Sequence, residues 1–600
     1  MAISIKVHAG ADDAFIAWTS DFIADCRGFA LRRRIKRGPN SAPSPNTTSA
    51  PDAQGFVEET VASWVGFADG PSVAPGTREP TTTWPIQKYL WSDFAVRPGD
   101  VVSYRVSPMI GHYDALQEKT ELASSWSDAQ AIGAKTDGNT SCFFNRGIVS
   151  SQWLARMLPS NPDPKKDTTA KGAALTKIIA TPGDPTRNFL GGAVRGELIS
   201  LLTETNARKG HIYAALFELD DPELVPLLKA FGKRAHLVLG NGSVKKRGED
   251  ENADARKILK KVCDVRDRFS APRALAHNKF LVICGADKKP KAVWTGSTNW
   301  TKTGLCTQAN NALLIENPAV AAPYVNQWNA LAKAKDATPE SIRTADETPH
   351  KPVRNKPLTL WFTPMAEPND LEQAGELIAD AQEGILFLMF NPGPRGTLLN
   401  DIIELGSPSS EKYKPHLYIQ GVVNQNPGTA KNPVTLFNRG DRIDANADVV
   451  LPAAINEQSK YWIKELLKMP RAHAMVHSKV VIIDPYGTRP VVMTGSHNMG
   501  PKASGVNDEN FVIIENNSAL ASDYATKIME IYNQYRWRAS LQDTKQESKW
   551  AGLADDDRWQ IDAPGADVRT QAYDRRRKRE LDFWFGNKLK LASLSSLATA

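Results

Sequence analysis

Two stretches decide how this chain folds: His477-Ser478-Lys479-Val480-Val481-Ile482-Ile483-Asp484, closed by Gly495-Ser496-His497-Asn498, and the earlier His277-Asn278-Lys279-Phe280-Leu281-Val282-Ile283, closed by Gly296-Ser297-Thr298-Asn299. Each opens an apolar strand with His-x-Lys. Side chains i and i+2 share one face of a strand, so each histidine points the same way as its lysine. Seventeen residues beyond each Asn lies Glu316 or Glu515, within Leu314-Ile315-Glu316-Asn317 and Ile513-Ile514-Glu515-Asn516. Upstream the order also repeats. A periodic helix around 193–208 leads to strand 211–217, and one at 369–383 leads to strand 385–390; a second helix and strand (235–240, 417–423) follow in each. A unit used twice in the same order predicts two α/β halves with pseudo-twofold symmetry, mixed sheets flanked by helices.

If the halves meet along the His-x-Lys faces, two imidazoles, two ammoniums and two amides converge. That set suits a tetrahedral anion, most economically a phosphate. Neutral histidine, with a reference pKa of about 6.5, attacks phosphorus, while a protonated histidine opposite gives its proton to the leaving oxygen. Water or an alcohol then resolves the phosphohistidine, the second histidine acting as base. Lysines neutralise the nonbridging oxygens, so the expectation is a site without metal or other cofactor.

The duplicated His-x-Lys-x4-Asp with Gly-Ser-x-Asn resembles the phospholipase D superfamily over roughly residues 140–535. The run Cys142-Phe143-Phe144-Asn145-Arg146-Gly147 is similar to bacterial members of unassigned substrate. The resemblance implies a catalytic set of His277, Lys279, Asn299, His477, Lys479, Asn498 and Glu509, supported by Ser297, Ser496, Asp484 and Glu316. It also implies His277 as nucleophile, His477 as acid, and Asp484 as a structural residue away from the phosphate. The first copy departs twice: Cys284 stands at the Asp position, and Asn310 stands eleven residues after Asn299 where Glu509 stands eleven after Asn498. In related nucleases a carboxylate there orients an imidazole, so Glu509 is expected to hold His477. No carboxylate obviously holds His277, for which Glu316 is a possible substitute orienter. That asymmetry argues for the reverse assignment of nucleophile and acid. His497 and His473 lie near the second motif, His497 either at the mouth or structural.

Around this core the 600 residues divide into 1–135, a β-sandwich-like domain with Trp64, Trp84 and Trp91; 136–335 and 358–540, the two halves; 336–357, a linker; and 541–600, a charged tail. Val61–Phe67 and 101–106 alternate as strands, 38–55 is a Pro/Ser/Asn/Thr-rich interruption, and 158–170 reads as another linker. No apolar run approaches the roughly 18 residues of a membrane span. The N-terminal residues alternate like a strand without a basic n-region leading into an apolar h-region, so no classical secretion signal is expected, and the five cysteines form no CxxC, which fits a reducing cytoplasm. Net charge, +7, is mild. The clusters Arg32–Arg37 and Arg575–Arg579 are either solvated faces or surfaces for a nucleic acid or an anionic membrane.

The second half is longer between its first strand and its His-x-Lys strand (385–477 against 211–277), and its extra segment, 427–455, sets Lys431, Arg439 and Arg442 beside Val434, Leu436, Phe437, Val449, Val450 and Leu451. Apolar residues beside cations suit an anionic lipid. A nucleic-acid groove wants a longer basic track; Lys233, Arg234, Lys245, Lys246, Arg247, Lys260 and Lys261 are interrupted by Glu249, Asp250, Glu251 and Asp254. The leading expectation is a phosphodiesterase hydrolysing or transferring a phospholipid headgroup, cytoplasmic or peripheral at a membrane, monomeric because both motifs lie in one chain. The alternatives are a nuclease using the same site and a catalytically degenerate binding protein.

Overall fold

The computed structural model describes residues 3–586 apart from 40, 42–43, 134–138, 148–150, 354–356, 432–433, 435, 437–445, 456–460, 467–473, 543–551 and 561–567. Two seven-stranded sheets dominate, and their topologies are identical. The first runs Thr140–Phe144, Asn311–Ile315, Pro290–Gly296, Lys279–Cys284, His211–Leu216, Ala235–Gly240, Asp264–Arg268. The second runs Leu358–Thr363, Glu509–Glu515, Val491–Gly495, Lys479–Ile483, Gly384–Met389, Tyr418–Val423, Ala447–Val450. In each, the last two pairings are parallel and the rest antiparallel. The central strands read as near-continuous Val, Ile, Leu and Phe because both faces are covered.

Three apolar clusters define the layers. One lies outside the first sheet and one outside the second, each against helices such as Pro185–Ala207 and Leu398–Gly406. The third, between the sheets, takes Phe280, Val282, Val480 and Ile482 from the His-x-Lys strands and Tyr324, Trp328, Tyr524 and Ile528 from helices Pro318–Ala334 and Ser518–Gln542. It runs on into an N-terminal region that holds a short two-stranded ribbon, Ala62–Ser63 with Glu79–Pro80, and is built mainly of two antiparallel sheets. One is Ser4–Ala9, Ala14–Thr19, Leu90–Asp93; the other is built on Cys26–Lys36 paired with Val101–Ile110 and, across the 38–55 interruption, with Val57–Thr60.

Four expectations are corrected. Val61–Phe67 yields only the strand Ala62–Ser63, because Trp64 turns away to stack on Trp91 and Phe94. Residues 158–170 are not all linker: Pro164 opens helix Pro164–Ile179, its fixed φ suiting a first helical position. The 336–357 linker carries helix Glu340–Asp346, tied down by buried Ile342 and Asp346. The charged tail contains helix Val568–Phe585, whose Leu581, Phe583 and Trp584 are buried; the Trp584 ring lies 3.9 Å from that of Phe15. Charge on one helical face concealed an apolar stripe on the other.

Candidate active site

Each Gly-Ser-x-Asn turn needs its glycine. Gly296 (φ 143°) and Gly495 (φ 147°) lie where side chains are disfavoured, and a Cβ would sit 2.4 Å from the Asn311 carbonyl oxygen or 2.3 Å from that of Asn510. The turn then seats its serine symmetrically. Ser297 Oγ donates to Asn310 Oδ1 (2.8 Å) and accepts from the Asn311 N–H (3.0 Å); Ser496 Oγ donates to Glu509 Oε2 (2.7 Å) and accepts from the Asn510 N–H (3.0 Å).

The halves lock together through the following asparagines. Asn510 Oδ1 accepts from Thr295 Oγ1 (2.5 Å), and Asn311 Nδ2 donates to Thr494 Oγ1 (2.8 Å). Beside them, Gln308–Ala309 pairs with Met475–Val476, and the His477 N–H donates to the Ala309 carbonyl. Both histidines, both lysines, both serines and Asn299 are buried, and Asn498 is half-buried.

Across this junction the orienting groups are exchanged. His277 Nδ1 donates to Glu509 Oε2 (2.7 Å), a residue of the other half. His477 Nδ1 donates to Asn310 Oδ1 (2.9 Å) and the Ser297 carbonyl (3.1 Å), again from the other half. The expectation that Glu509 holds His477 is therefore wrong, because the pseudo-twofold axis passes between the turns and each imidazole leans across it. Glu316 is no substitute: it is exposed, just past the end of strand Asn311–Ile315. Since every acceptor faces Nδ1, both neutral rings carry the Nδ1 proton and leave Nε2 a lone pair.

Electrostatics reinforce this. Burial lowers His277 to about 4, against the pull of Glu509. Burial and the charges of Lys479 and Lys279 lower His477 well below the usual value. Burial opposes the charge of Glu509, but His277 and Lys279 outweigh it and hold the carboxyl below its ordinary range. Each ammonium donates to the carbonyl of its own histidine (2.6 Å) and sits over an aromatic ring, Lys279 over Phe217 and Lys479 over Phe390. Burial lowers Lys279 to about 8.

Asp484 stands apart from the imidazoles, accepting from the N–H groups of Gln382 (2.8 Å), Glu383 (2.7 Å) and Gly384 (2.9 Å). Cys284 is buried, with its thiol pushed up to about 12 by burial. His497 does not line the mouth; it is fully buried against Asp370 (3.0 Å). Arg439, Arg442, Phe437 and His473 lie outside the described residues. Of the remaining 427–455 segment, Val449 and Val450 are buried in strand Ala447–Val450.

Most of the described arginines of the basic clusters are engaged internally. Arg32 pairs with Glu118, Arg33 with Glu59 and Asp93, Arg34 with Asp52 and Arg37 with Glu59. Arg577 donates to the Gln560 carbonyl and Lys578 pairs with Asp582. Among the described residues one acidic group could take a metal, Asp12, Asp13 and Glu530, but the Lys527 ammonium already lies 3.3 Å from Asp12 and 2.6 Å from Glu530.

Two contributors escaped the sequence reading. Asn145, buried, spends its amide on the carbonyls of Gly304, Leu305 and Gln308 and accepts from the Asn310 N–H, fixing the loop that presents Asn310. Glu218 accepts from Asn299 Nδ2 (2.7 Å). Aligning Phe217-Glu218 with Phe390-Asn391 across the repeat would have exposed it.

Comparison with known proteins agrees with the duplicated architecture. A family model described as "Cardiolipin synthase, PLD-like domain" matches residues 198–332 and 442–532. No curated protein matches the chain. Similar solved structures include phosphatidylserine synthase from Haemophilus influenzae Rd KW20 (13% identity, 58% of this chain and 85% of that one, TM-score 0.38). Polyphosphate kinase from Porphyromonas gingivalis is another (12%, 96% and 82%, TM-score 0.37), as is Nuc, a phospholipase D family member from Salmonella typhimurium (22%, 23% and 86%, TM-score 0.19). The matched segments fall on the two halves that meet at His277 and His477, so both halves of this duplicated architecture are similar to the phospholipase-D-like domain.

Proposed function

We propose that this protein is a phosphodiesterase that hydrolyses a phospholipid or transfers its headgroup through a phosphohistidine on His277. The observation that carries the reading is the exchanged pairing: one imidazole is held by a carboxylate and the other by a neutral amide. Glu509 stabilises the positive charge that His277 acquires as its Nε2 bonds to phosphorus, which is what a nucleophile needs. His477 sheds its proton readily because Asn310 offers no compensating charge, which is what a general acid needs. It takes up that proton when an anionic phosphate offsets Lys279 and Lys479. Asn498 and Asn299 hold nonbridging oxygens, and one chain supplies every group.

Lipid is favoured over nucleic acid because Arg32, Arg33, Arg34, Arg37, Arg577 and Lys578 are engaged within the fold instead of forming a track for a polyanion. Among the described residues no helix is long and apolar enough to cross a membrane, so a lipid would be met at a surface.

The test offers mixed phospholipid vesicles, and separately DNA and RNA, to the protein and to its His277→Ala and His477→Ala variants, with samples quenched in alkaline detergent analysed for phosphohistidine. Headgroup release with label on His277, accumulating in His477→Ala and absent in His277→Ala, is expected. Label on His477 would reverse the assignment, cleavage of nucleic acid alone would replace the substrate, and full activity in either variant would end the two-histidine mechanism.

A further inference from the structure

We propose that Glu218 is a specificity-determining residue of this site: it holds the Asn299 amide toward the bound phosphate and repels a second phosphate charge, so that the pocket takes monoanionic diesters and rejects dianions. The proposal rests on the functional reading above and adds a substrate class to it.

The placement is rigid. The loop that follows strand His211–Leu216 is pinned by Phe217 N–H to the Asn278 carbonyl (3.0 Å), Leu219 N–H to Asn252 Oδ1 (2.8 Å) and Trp300 N–H to the Glu218 carbonyl (3.2 Å). Phe217, one residue earlier, packs its ring 4.7 Å from that of His277. The carboxylate thus comes to the pocket from a fixed backbone and receives one of the two N–H groups of Asn299 Nδ2. The other remains for a phosphate oxygen.

The pseudo-twofold mate of Glu218 is Asn391, which is uncharged and exposed, so the first half alone brings this charge to the pocket. The groups that face Glu218 are Lys279, Lys479, Asp220, Glu251 and Asn299. Burial, opposed by Lys279 and aided by Glu251 and Asp220, raises its carboxyl to about 7, so near neutral pH it is partly ionised. A diester has one negative charge. A monoester, with a second pKa of about 6, has two above that pH, and inorganic phosphate is mostly a dianion by pH 8; both meet the repulsion.

The experiment measures, by calorimetry at pH 8 on the full chain, the affinities of inorganic phosphate and of diethyl phosphate for wild type, Glu218→Gln and Glu218→Ala, with Lys479→Ala as reference. Gln retains an oxygen to accept from Asn299 but no charge. Glu218→Gln is expected to shift the preference toward phosphate over diethyl phosphate by about tenfold or more. Loss of Glu218 also removes an attraction that holds the Lys279 proton, which weakens anion binding, so tighter phosphate binding can come only from relieved repulsion. Glu218→Ala is expected to relieve the repulsion as well, yet to bind both anions more weakly than Glu218→Gln because Asn299 loses its acceptor. An unchanged ratio in Glu218→Gln overturns the proposal alone. Phosphate affinity equal in wild type and Lys479→Ala, or no binding by any variant, overturns the underlying site as well.

Discussion

Asn310 decides what His477 can do. It gives the imidazole a hydrogen-bond acceptor without a charge, whereas Glu509, its counterpart, gives His277 both. Asn310→Asp places a carboxylate beside the His477 Nδ1–H, and an opposite charge at that range raises a histidine pKa by about 1–3 units. A general acid works while protonated. The limb of the pH–rate profile on which phosphohistidine formation falls with rising pH should therefore move upward in the variant. Rapid-quench rates across pH 4–9 check this, and an unmoved limb would show that His477 is not the acid. The substitution has a structural cost. Asn310 Nδ2 donates to the Gly304 carbonyl (2.8 Å), and an aspartate oxygen there leaves two acceptors facing each other, worth about 1–3 kcal/mol of stability.

At the scale of elements, one strand end tells the halves apart. Asp484 gathers the N–H groups of Gln382, Glu383 and Gly384, which join helix Asn369–Ala379 to strand Gly384–Met389. Asp484→Ala leaves these donors to water or to nothing and should cost about 2–4 kcal/mol in urea unfolding while sparing kcat once folded, since Asp484 does not touch the imidazoles. A matching loss of kcat would place it in the chemistry. In the first half buried Cys284 occupies this position, and the preceding loop instead closes on itself, with the Gly210 N–H bonded to the Thr205 carbonyl (2.9 Å).

The same contrast shows what could be read from the chain beforehand. The two apolar strands, their His-x-Lys openings and the Gly-Ser-x-Asn turns are local patterns with period two or a fixed turn geometry, so they are legible from neighbours alone. The exchange of Glu509 and Asn310 joins residues 232 and 167 positions apart across an axis that no local pattern encodes, and so the sequence alone points Glu509 to the histidine of its own half. The helices Glu340–Asp346 and Val568–Phe585 were hidden for a related reason. Their polar faces dominate their composition, and only tertiary contacts reveal which residues are covered.

For the molecule as a whole, function requires that the two halves keep their relative position, because each orients the other's histidine. One buried ion pair does much of this work. Arg268, at the edge of the first sheet and fully buried, donates from Nε and Nη2 to both oxygens of Asp508 (2.5 and 2.7 Å), the residue before Glu509, and from Nη1 to the Ala337 carbonyl (2.8 Å). The Asp508 N–H in turn bonds the Leu275 carbonyl (2.9 Å), two residues before His277. Arg268→Ala strands a buried carboxylate, which typically costs about 3–5 kcal/mol. Burial already raises the Asp508 carboxyl, and without its partner the folded value rises further above the unfolded one. A group raised in the folded state binds its proton more tightly there than in the unfolded chain, so lowering the pH below the folded value favours the fold. The deficit of Arg268→Ala relative to wild type should thus be larger at pH 8 than at pH 5. Urea unfolding at the two pH values measures it. Equal deficits would mean that the loss is one of packing and not of charge. Because Asp508 carries Glu509, kcat should fall with stability in Arg268→Ala even where the variant is fully folded, whereas Asp484→Ala should lose stability alone.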